Sequence, residues 1–303
     1  MRVSLKVKRK ELNPEIEVLR LIEYRKCDVV SKEDIYEAFI NGFSDYVINI
    51  SLPMNDFFER FFGPEGNSLE HSIIAYDGKK PVGLNLGGIK IYEGIKTLRC
   101  GTLCIHPDYR GTEVSKVLFD HHKSIAIDSD CKQMFLEVIV GNDRAINFYK
   151  RRGYEKVYDL WYYTHNNPEM IRGRVPEGIL IERLDFYDLR IFEDPIQDIH
   201  INWQNDFDYI SHMDNNISYG VYYSSRLIGG LCINPLGKIY FLWIDHEFRG
   251  RGLGRGLVRF AVKELTIEKL HISFPNNASL FGFVKHLGFD RDSISQHEMY
   301  LTL

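Results

Sequence analysis

The sequence predicts a mixed α/β fold built twice in tandem. Two observations carry this. Strand-like runs of apolar and β-branched residues alternate with amphipathic helical runs along the whole chain. The order of these runs in the first half recurs in the second. A third observation bounds the answer: 303 residues, 44% hydrophobic and 13% aromatic, suffice for two cores and argue against disorder.

Taken in order, residues 17–28 (EVLRLIEYRKCD) read as a first strand. Residues 31–47 read as a first helix, with Ser31 at the N-cap and Asp34 three residues on. NDFFERFF, residues 55–62, is a short second helix. The aromatic-rich run 43–62 reads as ordinary helix packing, with an apolar substrate slot as the alternative. HSIIAYDGKKPVGLNLGG is a hairpin turning at Asp77-Gly78. GTLCIHPDYRG, residues 101–111, is a strand and an Arg-Gly turn, feeding a helix with Val114, Val117, Leu118, His121 and Ile125 on one face. FLEVIVGNDRAINFYKRRGY follows as strand, Asn, helix and a closing Gly-aromatic pair. The Pro-, Gly- and Asn-rich stretch 166–178 is the linker between a domain at 1–165 and a shorter one at 179–303.

The second half repeats the layout. SYGVYYSSRLIGGLCIN is a hairpin turning at Ser224-Ser225. KIYFLWID is a buried strand, and ISFPNNASLFGFVKHLGF is again strand, Asn, helix and Gly-aromatic pair. From Arg110 to Gly153 is 43 residues, and from Arg249 to Gly288 is 39, so four elements recur in order at similar spacing.

Composition excludes several functions. A net charge of -4 argues against a general nucleic-acid binder, and the basic run 7–10 is too short to change that. No apolar run reaches membrane-spanning length and no signal-peptide pattern is present, which predicts a cytoplasmic protein. The five cysteines form no Cys-x-x-Cys pair, so buried reduced thiols are expected, with no disulfide framework and no metal.

The most informative stretch is FRGRGLGRGLVRF, residues 248–260, with four glycines and four arginines. Its glycines fall on every second residue, so it fails the dinucleotide fingerprint, and it lacks the Gly-Lys-Ser/Thr ending of a P-loop. A strand precedes it, and Leu253, Leu257, Phe260, Ala261 and Leu265 follow at helical spacing. It is therefore an anion loop at a helix N-terminus, where unpaired amides and the dipole attract negative charge, or a plain Gly-rich turn.

Arg249-Gly250-Arg251-Gly252-Leu253-Gly254 fits every position of the Gln/Arg-x-x-Gly-x-Gly/Ala loop of the GNAT superfamily of N-acetyltransferases, and both halves resemble a GNAT domain. The resemblance implies, in each half, a mostly antiparallel, splayed mixed sheet flanked by helices. It implies acetyl-CoA as co-substrate and, as acceptor, a small-molecule or peptide amine that attacks the thioester directly in a ternary complex. A non-catalytic CoA-binding or interaction module is the alternative, and a homodimer is an arrangement the resemblance allows. The implied cofactor contacts are Leu103, Ile105, Arg110, Gly111, Thr112, Glu113, Val114, Ser115 and Asn142 in the first half. In the second they are Trp243, Ile244, Arg249, Gly250, Arg251, Gly252, Leu253, Gly254 and Asn277.

The halves diverge. The first half keeps Glu137, Asn142 and Tyr149 at positions similar to those of peptide N-terminal acetyltransferases, implying Glu137 as general base and Tyr149 as general acid. Its loop, however, carries Glu113 and Ser115 where glycine or alanine is usual. A carboxylate facing a pyrophosphate would repel it, whereas one facing solvent would suit the helix dipole; the outward orientation is expected. The second half keeps the loop and Asn277 but has Ile272 for the Glu and Val284 for the Tyr.

Overall fold

The computed structural model describes residues 2–6, 19–46 and 52–303. The basic run 7–10, the first two residues of the expected first strand and residues 47–51 lie outside the described residues. The strands are β1 (Arg2–Lys6), β2 (Leu19–Lys26), β3 (Ser68–Asp77), β4 (Lys80–Tyr92), β5 (Ile95–Ile105), β6 (Gln133–Ile139), β7 (Glu155–His165), β8 (Ile179–Leu184), β9 (Ile217–Tyr223), β10 (Arg226–Ile233), β11 (Lys238–Ile244), β12 (Leu270–Phe274) and β13 (Asp290–Thr302). The helices are α1 (Lys32–Gly42), α2 (Met54–Phe62), α3 (Val114–Asp128), α4 (Asp143–Lys150), α5 (Phe207–Ser211), α6 (Leu253–Leu265) and α7 (Ala278–Leu287).

The chain forms two compact units. The first comprises Met1–Glu137, Tyr149–Glu155 and Met299–Leu303, and the second comprises Val138–Phe148 and Lys156–Glu298. Residues 156–165, which the sequence reading assigns to the N-terminal domain, thus lie in the second unit, where β7 pairs antiparallel with β12 from His165↔Leu270 to Trp161↔Phe274.

In the first unit β1 to β5 pair in sequence order, all antiparallel, and β6 joins β5 in parallel. Side chains alternate between the two faces as the pleat requires. Ile73 and Ala75 meet Val114 and Leu118 of α3, while Ile74 and Tyr76 meet Ile35 and Phe39 of α1 and Phe57 of α2. α1 begins as expected, with Ser31 Oγ accepting from the Asp34 amide at 3.1 Å, but ends at Gly42. On α3 it is His122, not His121, that is fully buried. The helix is thus covered over a wider arc than the single stripe read from the sequence.

In the second unit β8 to β11 pair antiparallel and β12 joins β11 in parallel. Ser224 and Ser225 both take positive φ, 46° and 65°, the left-handed geometry that lets a two-residue turn match strand twist. One sheet face packs on Leu253, Leu257, Val258 and Ala261 of α6 and Val284 of α7. The other is covered by the segment 186–211, whose Phe192 and Phe207 lie against Phe241 and Trp243. That segment is a series of short 3-10 turns with α5. Among the described residues no helix is long and apolar enough to cross a membrane. All five cysteines are buried and reduced.

Candidate active site

In the second unit the parallel ladder of β11 and β12 covers only Lys238↔His271 and Ile239↔Ile272. Beyond it, Phe241 to Ile244 and Ser273 to Phe274 both line one cleft of about 620 Å³. Asn205 pins the parted strand, its Nδ2 donating to the Ser273 carbonyl at 2.6 Å. The cleft is lined by Trp243, Ile244, Arg249, Gly250, Gly252, Leu253, Gly254 and Asn277, eight of the nine second-half residues expected to hold the cofactor.

The loop is shaped by its glycines. Gly250 and Gly252 sit at φ +76° and +79°, where a side chain is strained, and a Cβ at either would meet open space. Gly252 is the N-cap of α6 and supplies no side-chain cap. The first-turn amides therefore face outward without a side-chain partner, as an anion site requires. Arg249 braces this geometry rather than reaching out: its Nε donates to the Ile244 carbonyl at 2.8 Å and its guanidinium lies over the Trp243 ring. Arg251 turns back to the Glu247 carbonyl and the Phe248 ring. Asn277 caps α7, its Oδ1 accepting from Leu280 N at 3.0 Å.

Three polar atoms in the cleft wall have no hydrogen-bond partner among the described residues: Asn202 Oδ1, Asn205 Oδ1 and Trp243 Nε1, all buried. Buried polar groups are almost always satisfied, so two acceptors and one donor left open beside one cleft favour a ligand or water there. The residues present thus fit a CoA thioester: uncapped amides for its phosphates and an opening between parted strands for its extended amide-bearing arm. Asn202, Asn205 and His200 were not legible in the sequence; they lie in irregular chain around a single 3-10 turn, Trp203–Asn205, with no periodicity to mark them.

The first half is built from the same parts with different occupants. Arg110 repeats the brace of Arg249, its Nε donating to the Ile105 carbonyl at 3.1 Å, but its guanidinium is also held by Asp45 and the Gly42 carbonyl. Gly111 has φ +77°. Thr112 Oγ1 donates to the Tyr109 carbonyl and accepts from Val114 N, so one first-turn amide is already used. The Glu113 side chain is more than half exposed and pairs with Lys116 at 3.1 Å, the outward orientation. Val114 and Ile105 are buried in the core, with Leu103 and Ser115 half-buried.

Glu137 lies in a buried ion pair. Its Oε2 accepts from Arg99 Nη2 at 2.6 Å and Nε at 3.1 Å, and Arg99 also reaches Glu65 at 2.7 Å. Tyr149 is buried, with its hydroxyl 3.9 Å from Cys100 Sγ. Burial pushes that hydroxyl well above the usual phenol range, so it keeps its proton at neutral pH, and burial pushes the Cys100 thiol up to about 11. Asn142 caps α4 through Ala145 N at 3.2 Å. Among the described residues no group of three His, Cys, Asp or Glu side chains is placed to hold a metal.

The acetyltransferase (GNAT) family model matches residues 33–154 and again 182–289. The chain belongs to the GNAT acetyltransferase family. It carries two copies of the domain, and the family supports acyl transfer in general. Among solved structures, a tandem GNAT protein from the clavulanic acid biosynthesis pathway is 14% identical, with a TM-score of 0.68 over 93% of this chain and 98% of the other. A putative acetyltransferase from Pyrococcus horikoshii is 15% identical, with a TM-score of 0.61 over 97% and 93%. An N-acetyltransferase from Sphaerobacter thermophilus is 11% identical, with a TM-score of 0.64 over 93% and 95%. At these identities the likeness is one of fold. No curated protein matches the chain.

Proposed function

We propose that the protein transfers an acetyl group from acetyl-CoA to a primary amine by direct attack in a ternary complex, with the cofactor held in the second half. The single observation that carries this is the cleft of about 620 Å³ between parted β11 and β12, which opens at the glycine loop of α6. Bound there, acetyl-CoA supplies an activated acyl group. The chain's part is to hold the phosphates on the first-turn amides of α6 and to shield the arm with Trp243, Phe274 and Phe283. The parted strands then expose the carbonyl to an amine entering past the segment 186–211.

The duplication is read as one copy of the domain in each half, joined by 166–178, with the first copy turned to support. Its loop has lost an amide to Thr112, and its Glu137 is committed to Arg99. Five buried reduced thiols favour the cytoplasm as the setting. A non-catalytic CoA-binding module is the second reading, favoured by Ile272 and Val284 standing where the first copy has Glu137 and Tyr149.

The test is calorimetric titration with CoA, followed by incubation with acetyl-CoA and a panel of primary amines while free thiol is monitored. Binding with amine-dependent thiol release is expected. Binding with no release for any amine supports the second reading, and no binding refutes both.

A further inference from the structure

Two side chains in the cleft of the second half are turned to accept hydrogen bonds that nothing among the described residues gives them. The Asn205 side-chain nitrogen donates to the Ser273 carbonyl at 2.6 Å, and a carbonyl oxygen can only accept. That contact fixes the orientation of the amide, so the atom left over is Oδ1, which is buried without a partner among the described residues. Asn202 repeats the arrangement: its Nδ2 donates to Gln204 Oε1 at 3.2 Å, and its Oδ1 is likewise buried and open. The backbone N–H of Asn205 donates to the Asn202 carbonyl at 2.9 Å, closing a tight turn in which residues three apart stand side by side. Both side chains line the cleft, with Asn202 1% and Asn205 4% exposed. Ser273 follows the last rung of the β11–β12 ladder, so Asn205 is anchored where the strands part. The third open atom, Trp243 Nε1, is a donor on a ring that lies under the Arg249 guanidinium beside the glycine loop, on the side of the cofactor. Two neighbouring acceptors call for a ligand atom that carries two donors. A neutral primary amine is such a group, with two N–H bonds and one lone pair. Its ammonium form suits the site poorly, because among the described residues no Asp or Glu lines the cleft. Ile196, Ile199 and Phe241 line the same cleft and suit an apolar stem.

Building on the functional reading above, we propose that Asn202 and Asn205 form the acceptor subsite of the second half and select a primary amine on an apolar stem. Each Oδ1 accepts one N–H, which leaves the nitrogen lone pair for the thioester carbonyl carbon. The C–N bond forms and the C–S bond breaks. Neither side-chain amide is basic, so the proton shed by the nitrogen passes to water, and the departing thiolate takes one from it. N-methylation of the amine removes one N–H and leaves a buried oxygen unpaired, so the same pair of asparagines turns secondary amines away.

The test uses the full chain saturated with CoA, so that binding is read without turnover. Hexylamine and phenethylamine are titrated in by calorimetry, each beside its N-methyl counterpart. The primary amine of each pair should bind at least about tenfold more tightly. In Asn202→Ala and Asn205→Ala the primary amines should weaken about tenfold and the N-methyl amines less, so that the preference collapses, while the Kd of CoA stays unchanged. Equal affinity for the two members of each pair overturns the proposal, as does failure of all four amines to bind the CoA-saturated protein. A variant that loses affinity for CoA and keeps its preference among amines also overturns it, by assigning the asparagines to the cofactor's amide-bearing arm. Asn205→Ala also removes the anchor on Ser273; if it fails to fold, Asn202→Ala and the unmodified chain still decide. Failure of CoA to bind at all overturns the functional reading instead, and this inference with it.

Discussion

Gly252→Asp separates the effect of the loop on folding from its effect on the cofactor. Gly252 sits at φ +79°, and a Cβ there meets nothing within 4 Å, so no clash is created. The folding cost is backbone strain alone, about 1 kcal/mol for a side chain in the left-handed region. A carboxylate at the N-cap of α6 returns about 0.3–1 kcal/mol by opposing the positive end of the helix. Net stability should therefore change by less than about 1 kcal/mol. Binding should not be spared. A carboxylate about 5 Å from two phosphate charges, with screening close to that of water, costs about 2 kcal/mol, roughly thirtyfold in Kd. Gly252→Ala carries the same strain without the charge and serves as control. Calorimetric titration with CoA, paired with urea unfolding, reads both quantities. A Gly252→Asp protein that folds as well as the parent and binds CoA equally tightly would refute the placement of the phosphates on this loop.

Arg249→Ala removes both the bond to the Ile244 carbonyl and the cover over Trp243, and should weaken CoA about tenfold by calorimetry, whereas Arg110→Ala should leave CoA affinity unchanged. Glu137→Ala takes one of two carboxylates from the buried Arg99, leaving Glu65, and should destabilise the fold by about 3 kcal/mol in urea unfolding, with the transfer rate of the surviving protein little changed. His122 is fully buried with both ring nitrogens unpartnered among the described residues, and burial depresses its pKa from 6.5 to about 3. The unfolded chain then binds the extra proton, so stability is full above pH 6.5 and falls as pH drops toward 3. Between pH 7 and 5 the parent should lose about 2 kcal/mol more than His122→Leu in paired urea titrations. Among the described residues no Asp or Glu lines the cleft, so amines carrying a second cationic group should be poorer acceptors in the thiol-release assay than monoamines of similar size.

The sequence by itself determined whatever depends on neighbours along the chain. Glycines at 250 and 252 before a helical pattern define a left-handed loop feeding a helix, because φ and helix-end amides are local properties. Ser224-Ser225 defines a hairpin because a two-residue turn depends on its own dihedrals, whereas the turn read at Asp77-Gly78 falls one residue on, at Gly78-Lys79, with Asp77 paired to Lys80. The repeat was legible because both copies spend similar lengths on similar elements. Tertiary structure alone decided the rest, since those outcomes depend on residues far apart in the chain. Position along the chain marks Glu137 out, but only the fold shows its carboxylate bound to Arg99, 38 residues away. The linker composition placed residues 156–165 with the first half, yet the ladder of β7 with β12 puts them in the second unit. The cleft owes its parted wall to Asn205 and Ser273, 68 residues apart, and His200 in that wall meets Glu298, 98 residues away. Periodicity records which face of an element is buried; it carries no record of which distant side chain satisfies a buried charge or amide, and that choice made the site.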